Sequence, residues 1–350
     1  MHVNSSPTYI ELRVSKIIQE TADTKSFVLE TNDGSPLHYE PGQFLTFVFR
    51  TATTEERRSY SISSSAFLNE PLRITVKRID NGAVSRYLFD YCTEGSMLYT
   101  IGVFGFFVLP PNISDHRHLF FFAAGSGITP ILPLIKYALH NFPSMGVTLL
   151  YSNKTRRSTI FLDDIEGLRT KFPAFTVHYF FSDSRDLFRA RLSKSNFSDF
   201  LVSLRDPHWR SSLFYLCGPY SFMQMISITL MREGVHSANI KREIFDTQKP
   251  LLRQLPPDQD RHVVHIQNGE GMYSCPVQFP DTILHAAKQH GILLPYSCEA
   301  GKCGTCAATC VKGTVWMSYN EVLTDRELAD GRILTCTGFP VGGDVVLHIH

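Results

Sequence analysis

The segment Pro-Tyr-Ser-Cys-Glu-Ala-Gly-Lys-Cys-Gly-Thr-Cys, residues 295–306, places three cysteines in a short loop of mostly small residues. Cys298 and Cys303 are separated by four residues, and Cys303 and Cys306 by two. A fourth cysteine, Cys336, follows after residues 307–335. Disulfide-rich secreted chains are small and use cysteines as staples throughout. Thiols gathered in one region of a 350-residue chain instead predict a metal site in a reducing compartment.

The spacing of these four cysteines is that of a plant-type 2Fe–2S cluster. Two sulfide-bridged irons need four thiolates, of which a tight loop can supply three and a remote strand the fourth. We therefore predict Cys298, Cys303, Cys306 and Cys336 as the metal ligands. A structural zinc site or free thiols are the alternatives, but zinc sites usually combine two close pairs of ligands. Cys310 has no ligand position left to fill, and we expect a buried core thiol.

Composition and charge exclude several kinds of partner. Hydrophobic residues make up 43% of the chain and charged residues 19%, which is typical of a globular protein. The formal net charge of +1 gives no global field for nucleic acid or an anionic membrane. Glycines and prolines interrupt the apolar stretch 119–135, whereas a membrane span needs roughly 20 consecutive apolar residues. Since the N-terminus has no signal-peptide pattern, we expect a cytoplasmic protein.

The pattern of predicted elements divides the chain into three domains. Residues 1–112 contain short runs of β-branched and aromatic residues between turn signals, which predicts an antiparallel β-barrel. Residues 113–248 alternate strands with helices, which predicts a doubly wound α/β domain. Residues 249–260 are proline-rich and are predicted to be a linker, long enough to let the last domain turn. Residues 261–350 form that domain and contain the cysteine loop.

A candidate flavin motif lies in the barrel at residues 58–64, Arg-Ser-Tyr-Ser-Ile-Ser-Ser. A flavin ring needs a flat aromatic partner, a hydroxyl or amide near N5 and a cation for its phosphate. Arg58, Tyr60, Ser61 and Ile62 are the candidate cofactor-binding residues. Strands often alternate polar and aromatic residues, so an ordinary strand is the alternative.

A second motif, Gly-Ala-Val-Ser at residues 82–85, opens a predicted helix. The backbone amides of a helix N-terminus form a ready anion site. We predict that Gly82, Val84 and Ser85 hold a pyrophosphate. The alternative is an ordinary capped helix.

Two further motifs follow predicted strands of the α/β domain. Residues 123–130, Ala-Ala-Gly-Ser-Gly-Ile-Thr-Pro, link a strand to a helix, which is the context of a nucleotide-binding turn. Its candidate residues are Gly125, Gly127, Thr129 and Pro130, with Pro130 standing where the usual fingerprint has its third glycine. Cys217, Gly218 and Pro219 end the fourth predicted strand, where α/β sheets place their ligands.

In this order and spacing, the four segments resemble the ferredoxin–NADP reductase superfamily over residues 8–248. The loop at residues 295–306 resembles that of plant-type ferredoxins, which implies a β-grasp fold for the last domain. The whole chain resembles the fused reductases of multicomponent oxygenases, especially the phenylacetyl-CoA epoxidase reductase type.

The resemblance implies a role for each motif. Arg58, Tyr60 and Ser61 would bind the flavin, and Gly82, Val84 and Ser85 its pyrophosphate. Gly125, Gly127, Thr129 and Pro130 would form the turn on the nicotinamide side, and Cys217, Gly218 and Pro219 would border the nicotinamide. Glu243 and Phe245 match the segment that ends the nucleotide domain and packs near the flavin.

The identities of the flavin and of the electron donor are weighed separately. The pyrophosphate segment favours FAD, although related reductases with the same domain order use FMN. Ser184 and Arg185, after the third predicted strand, match positions where NADPH users of this family bind the 2′-phosphate; Ser182, Arg156 and Arg157 are nearby. A guanidinium fork suits that phosphate. We therefore favour NADPH over NADH, with a solvated surface loop as the alternative.

The predicted activity is that of an NAD(P)H-dependent reductase that passes single electrons to a partner protein, an oxygenase component. A hydride carries two electrons and a 2Fe–2S cluster accepts one, so a flavin must convert between them. We hypothesise that Ser61 hydrogen-bonds near flavin N5 and that Cys217 shapes the nicotinamide site. The alternatives are a reductase for another acceptor such as a hybrid-cluster protein, a passive electron-transfer module, and a redox-inert zinc scaffold.

Overall fold

The computed structural model describes residues 9–50, 55–186, 190–203, 209–246, 255–269 and 271–349. They form three successive β-sheet units, each with its own hydrophobic core. Most of the predicted linker, up to residue 254, lies outside the described residues.

The first unit is a six-stranded antiparallel sheet in the order β4-β3-β6-β1-β2-β5. Its strands are β1 (Ile10–Thr21), β2 (Thr24–Thr31), β3 (Phe44–Arg50), β4 (Glu55–Ser61), β5 (Arg73–Lys77) and β6 (Met97–Phe104), and helix α1 is Ala83–Tyr91. A bridge between Ile62 and Ile74 joins the chain just beyond β4 to β5. The two edges of the sheet therefore meet and the barrel closes around Phe27 and Phe47, both fully buried.

The second unit is a five-stranded parallel sheet in the order β11-β10-β7-β8-β9. Its strands are β7 (His118–Ala124), β8 (Gly146–Asn153), β9 (Phe175–Phe181), β10 (Leu213–Cys217) and β11 (Ile240–Glu243). Its helices are α2 (Ile128–Asn141), α3 (Leu162–Lys171), α4 (Lys194–Ser203) and α5 (Tyr220–Arg232).

Alternate residues of the parallel strands enter two cores, one on each face of the sheet. Phe121 packs with α2 and α3 on one face, and Phe120 and Phe122 pack with α4 and α5 on the other. The strand order reverses between β7 and β10, and a doubly wound sheet binds its ligands at the carboxyl ends of strands flanking such a reversal.

The third unit is a mixed sheet in the order β13-β12-β18-β14-β16, with a separate β15–β17 pair. Its strands are β12 (His262–Asn268), β13 (Gly271–Val277), β14 (Ala307–Lys312), β15 (Val315–Met317), β16 (Arg332–Leu334), β17 (Gly338–Pro340) and β18 (Val345–Ile349). Helix α6 (Ile283–Gln289) packs on the sheet, and α7 is Asp325–Ala329. The barrel, the doubly wound sheet and this β-grasp unit confirm the predicted fold class.

The barrel and the parallel sheet meet through a largely buried ion pair. Lys136 Nζ lies 2.6 Å from Glu70 Oε1, and the lysine side chain is 7% exposed. The Tyr215 hydroxyl also donates a hydrogen bond to the carbonyl oxygen of Val108, at 3.0 Å. These contacts fix the barrel against the carboxyl ends of β7 and β10.

Among the described residues, no helix is both long and apolar enough to cross a membrane.

The close approach of β7 and β10 gives the first testable prediction. A Cβ atom at Gly127 would lie 2.0 Å from the carbonyl oxygen of Cys217, a backbone atom that cannot move aside without shifting β10. Gly127→Ala should therefore lower the free energy of unfolding by about 3 kcal/mol, measured by urea denaturation followed by circular dichroism.

Gly167 is the matched control, because it lies inside α3 and a Cβ there would meet nothing within 4 Å. Gly167→Ala should stabilise the protein by roughly 0.5–1 kcal/mol. Equal stability of the two variants would contradict the steric argument.

Candidate functional site

A cleft of about 920 Å³ separates the barrel from the carboxyl ends of the parallel strands. Eleven of the residues predicted to bind cofactor or nucleotide lie in its wall: Arg58, Tyr60, Ser61, Gly82, Val84, Ser85, Gly125, Thr129, Gly218, Pro219 and Phe245. The volume is within the range of cofactor sites, about 300–1,000 Å³.

On the barrel side, strand β4 supplies the wall of the cleft. Arg58 forms an ion pair with Glu56 and donates from Nη1 to its neighbour's carbonyl oxygen at 2.8 Å. The Tyr60 ring lies beside Phe47, with ring centroids 6.2 Å apart, and burial raises the pKa of its hydroxyl. Tyr60 therefore presents a neutral aromatic ring, and Arg58 a half-exposed cation.

Helix α1 begins in the cleft with backbone amides that no side chain caps. Gly82 is the N-cap residue and provides no side-chain hydrogen bond. Ser85 Oγ instead secures the turn, donating to the Gly82 carbonyl at 3.1 Å and accepting from the Ile79 amide at 3.2 Å. Uncapped amides at a helix N-terminus fit a phosphate group, so this segment fits the pyrophosphate of FAD.

The turn between β7 and α2 forms the opposite wall. Gly125 has φ of +54°, a left-handed conformation that glycine adopts easily. The Tyr151 hydroxyl donates to the Gly125 carbonyl at 3.1 Å, and Thr129 Oγ1 donates to the Ser126 carbonyl at 3.0 Å. Gly127 and Pro130 are buried behind this turn and support it without lining the cleft.

Ser61, Cys217 and Glu243 come together although they lie far apart in sequence. Ser61 Oγ donates to Glu243 Oε2 at 3.2 Å, and Glu243 pairs with Cys217 across β10 and β11. Burial raises the pKa of Glu243 to about 8, and the hydrogen bond from Ser61 opposes the shift. Burial, and then the nearby Glu243, raises the pKa of Cys217 well above its usual range. At neutral pH both groups therefore hold their protons.

Three other predicted residues lie outside the wall of the cleft. Ile62 is 1% exposed and belongs to the barrel core. Arg185 is exposed, and Ser184 Oγ accepts a hydrogen bond from the amide of Asp186 at 3.2 Å.

Residues at the ends of β8 and β9 line the cleft where sequence analysis named few candidates. They are Ser152, Asn153, Lys154, Ser158 and Ser182, of which only Ser182 was named. Ser152 Oγ is buried and has no hydrogen-bond partner among the described residues, as expected for a group that meets a polar ligand. The signal that could have identified them is their position directly after parallel strands.

The cysteine loop is shaped by left-handed residues. Glu299, Gly301 and Gly304 have φ of +51°, +72° and +79°. A Cβ at Gly301 would lie 2.7 Å from the Tyr319 carbonyl oxygen, and one at Gly304 would lie 2.8 Å from the Phe106 ring. The Ala300 amide donates to Cys298 Sγ at 3.4 Å. Glycine is thus required where the loop curls tightly around the thiols.

The four predicted ligands form two thiol pairs. Cys303 hydrogen-bonds to Cys298, which with nearby backbone amides lowers the pKa of Cys298 to about 6. Cys306 hydrogen-bonds to Cys336, and this bond and burial raise the pKa of Cys306. The Thr335 amide and hydroxyl both donate to the Cys306 carbonyl at 3.1 Å, which fixes the remote ligand beside the loop.

Two pairs of thiols fit two irons better than one ion. Within the described ranges, no three His, Cys, Asp or Glu side chains converge on a point that could hold a single metal ion. A tetrahedral zinc site requires such convergence, whereas a 2Fe–2S cluster takes two thiolates on each iron. Cys310 is half-buried on β14, with its Sγ 3.5 Å from the Lys312 carbonyl oxygen, and belongs to neither pair.

The cysteine loop also docks on strand β4. The Arg57 guanidinium lies 3.7 Å from the centroid of the Tyr296 ring and donates to the Tyr296 carbonyl at 3.2 Å. Ser59 and Ser297 share a hydrogen bond of 3.0 Å. Sequence analysis predicted none of these contacts.

A second cavity, of about 230 Å³, lies at this junction. Ser61, Glu243 and Phe245 line one part of it, and Cys298 and Cys303 another. The fold and these sites together define an oxidoreductase with a flavin site, a nucleotide site and an iron–sulfur site in one chain.

Comparison with known proteins identifies the family. Three family models match in order: an oxidoreductase FAD-binding domain at residues 11–108, an oxidoreductase NAD-binding domain at 121–227 and a 2Fe-2S iron-sulfur cluster binding domain at 267–341. The ferredoxin reductase component of 3-ketosteroid-9-alpha-monooxygenase from Rhodococcus rhodochrous is 32% identical over 94% of this chain and 94% of that protein. The 1,2-phenylacetyl-CoA epoxidase of Escherichia coli (strain K12) has one component that is 31% identical over 97% of each chain.

The structure of phthalate dioxygenase reductase shares the fold, with a TM-score of 0.59 and 22% identity over 97% of this chain and 98% of that one. The chain belongs to the family of reductases that join these FAD-binding, NAD-binding and 2Fe–2S domains. It is an NAD(P)H-dependent oxidoreductase whose cofactors are FAD, a 2Fe–2S cluster and a pyridine nucleotide. The resemblance inferred from the sequence is confirmed.

The thiol pairs give the second prediction. Cys336→Ala removes one member of the Cys306–Cys336 pair and should abolish the cluster, because one iron is left with a single protein thiolate. Iron and acid-labile sulfide, measured after anaerobic purification, should fall to background while flavin content is retained.

Cys310→Ala is the control, since Cys310 lies outside both pairs, and it should keep full iron content. Normal iron and sulfide in the Cys336 variant would remove Cys336 from the ligand set.

Proposed function

We propose that this chain is the reductase component of a multicomponent oxygenase or hydroxylase, and that it delivers electrons one at a time to a separate oxygenase protein. Its relatives from Rhodococcus rhodochrous and Escherichia coli are components of a monooxygenase and an epoxidase by name, which supports an acceptor of this class.

The observation that carries the proposal is the cavity of about 230 Å³ shared by the flavin and cluster sites. Ser61 and Phe245, which border the cleft, and Cys298 and Cys303, which belong to the cysteine loop, line the same small space. Electron transfer needs its donor and acceptor close together, and no other role explains why a cluster loop should dock on a flavin strand.

FAD supplies the conversion of a two-electron hydride into single electrons, and the 2Fe–2S cluster carries one electron at a time. The protein's own residues orient the reactants and exclude water. Ser61 Oγ lies where β4 enters the cleft and is the candidate hydrogen-bond donor near flavin N5. Cys217, neutral and fully buried, shapes the nicotinamide side, and Glu243 holds the Ser61 hydroxyl in place.

We assign Arg58, Tyr60, Gly82, Val84 and Ser85 to FAD, since they line the cleft beside the uncapped start of α1. Residues Gly125, Thr129, Gly218 and Pro219 are assigned to the pyridine nucleotide. For the donor we favour NADPH, because Lys154, Ser158 and Ser182 line the end of the cleft formed by β8 and β9 and suit a 2′-phosphate.

Domain boundaries and location complete the proposal. Family matches and sheets support a division into residues 1–112, 113–248, a linker at 249–260, and 261–350. A cytoplasmic location accords with the eight cysteines, none of which forms a disulfide in the structure.

The third prediction tests the whole electron path. Anaerobic titration of the purified protein with NADPH or NADH, followed by visible absorption, should bleach first flavin and then cluster bands. NADPH should do so at the lower concentration. An iron–sulfur spectrum that neither nucleotide bleaches would support a passive module instead.

The acceptor class is tested by adding oxygenase components with Rieske or di-iron centres and a hybrid-cluster protein to the reduced enzyme. Rapid reoxidation by an oxygenase component is the expected result. Rapid reoxidation by the hybrid-cluster protein alone would overturn the oxygenase assignment.

The fourth prediction concerns Ser61. Ser61→Ala removes the hydroxyl that Glu243 holds at the cleft, and it should slow flavin reduction about 10-fold or more, with the cluster spectrum intact. Stopped-flow absorption measures the rate.

Ser63→Ala is the matched control, because Ser63 is a buried serine whose hydroxyl pairs with Thr75 at 2.7 Å and does not line the cleft. It should reduce its flavin at the wild-type rate. Equal rates for the Ser61 variant and the wild type would remove Ser61 from this role.

A further inference from the structure

Lys302 is a charged residue buried inside the cysteine loop. It lies between the two ligands Cys298 and Cys303, and its side chain is only 7% exposed. Its backbone amide hydrogen-bonds to Cys298, and its side chain lines the cavity of about 230 Å³ together with both cysteines. A lysine is rarely buried to this extent unless it is paired.

The lysine forms an ion pair with another domain. Lys302 Nζ lies 3.1 Å from Oδ2 of Asp246, a residue that follows β11 and lines the cofactor cleft. Asp246 is 41% exposed, so the carboxylate is better solvated than the ammonium group. The pair connects the cleft wall directly to the cysteine loop.

A buried charge beside the cluster changes the energy of its reduction. When a 2Fe–2S cluster with four thiolates accepts an electron, its net charge becomes one unit more negative. A nearby cation stabilises that reduced form and raises the reduction potential, and burial weakens the solvent screening of this effect. A carboxylate has the opposite effect.

We propose that Lys302 raises the reduction potential of the cluster so that it accepts electrons from the flavin, and that Asp246 of the nucleotide domain partly offsets this effect when the domains are docked. Lys302 is thus an electrostatic positioning residue for electron transfer. The cleft wall adjusts the electron affinity of the cluster through a contact between domains. The inference rests on the proposed transfer from flavin to cluster.

The fifth prediction compares two substitutions that break the same contact. Lys302→Met removes the cation and keeps the length of the side chain, so the cluster potential should fall. The equilibrium between flavin and cluster should change at least about tenfold, which for one electron is about 59 mV. Asp246→Asn removes the carboxylate and leaves the lysine, so the potential should rise by a smaller amount.

Midpoint potentials are measured on the full-length holoprotein by redox titration, with the electron paramagnetic resonance signal of the reduced cluster as readout. Lys302→Arg keeps the charge and should keep the potential. Lys288→Met is a matched control, because Lys288 is a cation of the same domain that is 31% exposed and pairs with Glu299 at 2.7 Å. Solvent screens it, so its removal should shift the potential less than Lys302→Met does.

Opposite shifts in the Lys302→Met and Asp246→Asn variants would establish the proposal. Shifts in the same direction, or none, would overturn it, because a purely structural contact is lost equally in both. If Lys302→Met does not retain iron, Asp246→Asn decides alone: a rise supports the proposal and a fall or no change overturns it. A failure of the proposed function is recognised separately, as a wild-type cluster that reduced nucleotide cannot reduce.

Discussion

Strand β4 is the contact on which the arrangement of the site depends. Because successive side chains of a strand alternate between its two faces, Arg57, Ser59 and Ser61 point the same way. Arg57 and Ser59 contact the cysteine loop, and Ser61 contacts Glu243 of the nucleotide domain. One face of a seven-residue strand therefore joins all three domains where their cofactor sites meet.

The local features of the site could be predicted from the sequence because they depend on short-range chemistry. The spacing of Cys298, Cys303 and Cys306 reflects the size of the cluster, and Gly125 reflects a left-handed turn. The contacts between domains could not be predicted in this way. Ser61 and Glu243 are 182 residues apart, and Arg57 and Tyr296 are 239 apart, so only the folded chain brings them together. Arg185, the cation favoured for the 2′-phosphate, is exposed outside the cleft wall, while Lys154 lines it.

Burial gives the site its electrostatic character. Glu243 and Cys217 retain their protons because both are removed from water, so the nicotinamide side contains no fixed negative charge from either group. The charged residues lie towards the cysteine loop, where the Lys302 ammonium group is buried beside the ligands. A neutral region next to the nucleotide and a cation next to the cluster together favour movement of electrons in one direction.

The position of β18 bears on how the protein is assembled. This strand, Val345–Ile349, is the last in the described chain, yet it lies in the middle of the third sheet between β12 and β14. During translation the barrel and the parallel sheet are complete long before these residues leave the ribosome. The nascent chain can therefore take up FAD early, whereas β12 and β14 have no strand between them until β18 emerges. Insertion of iron and sulfide into a finished scaffold is for this reason a late, post-translational step in biogenesis.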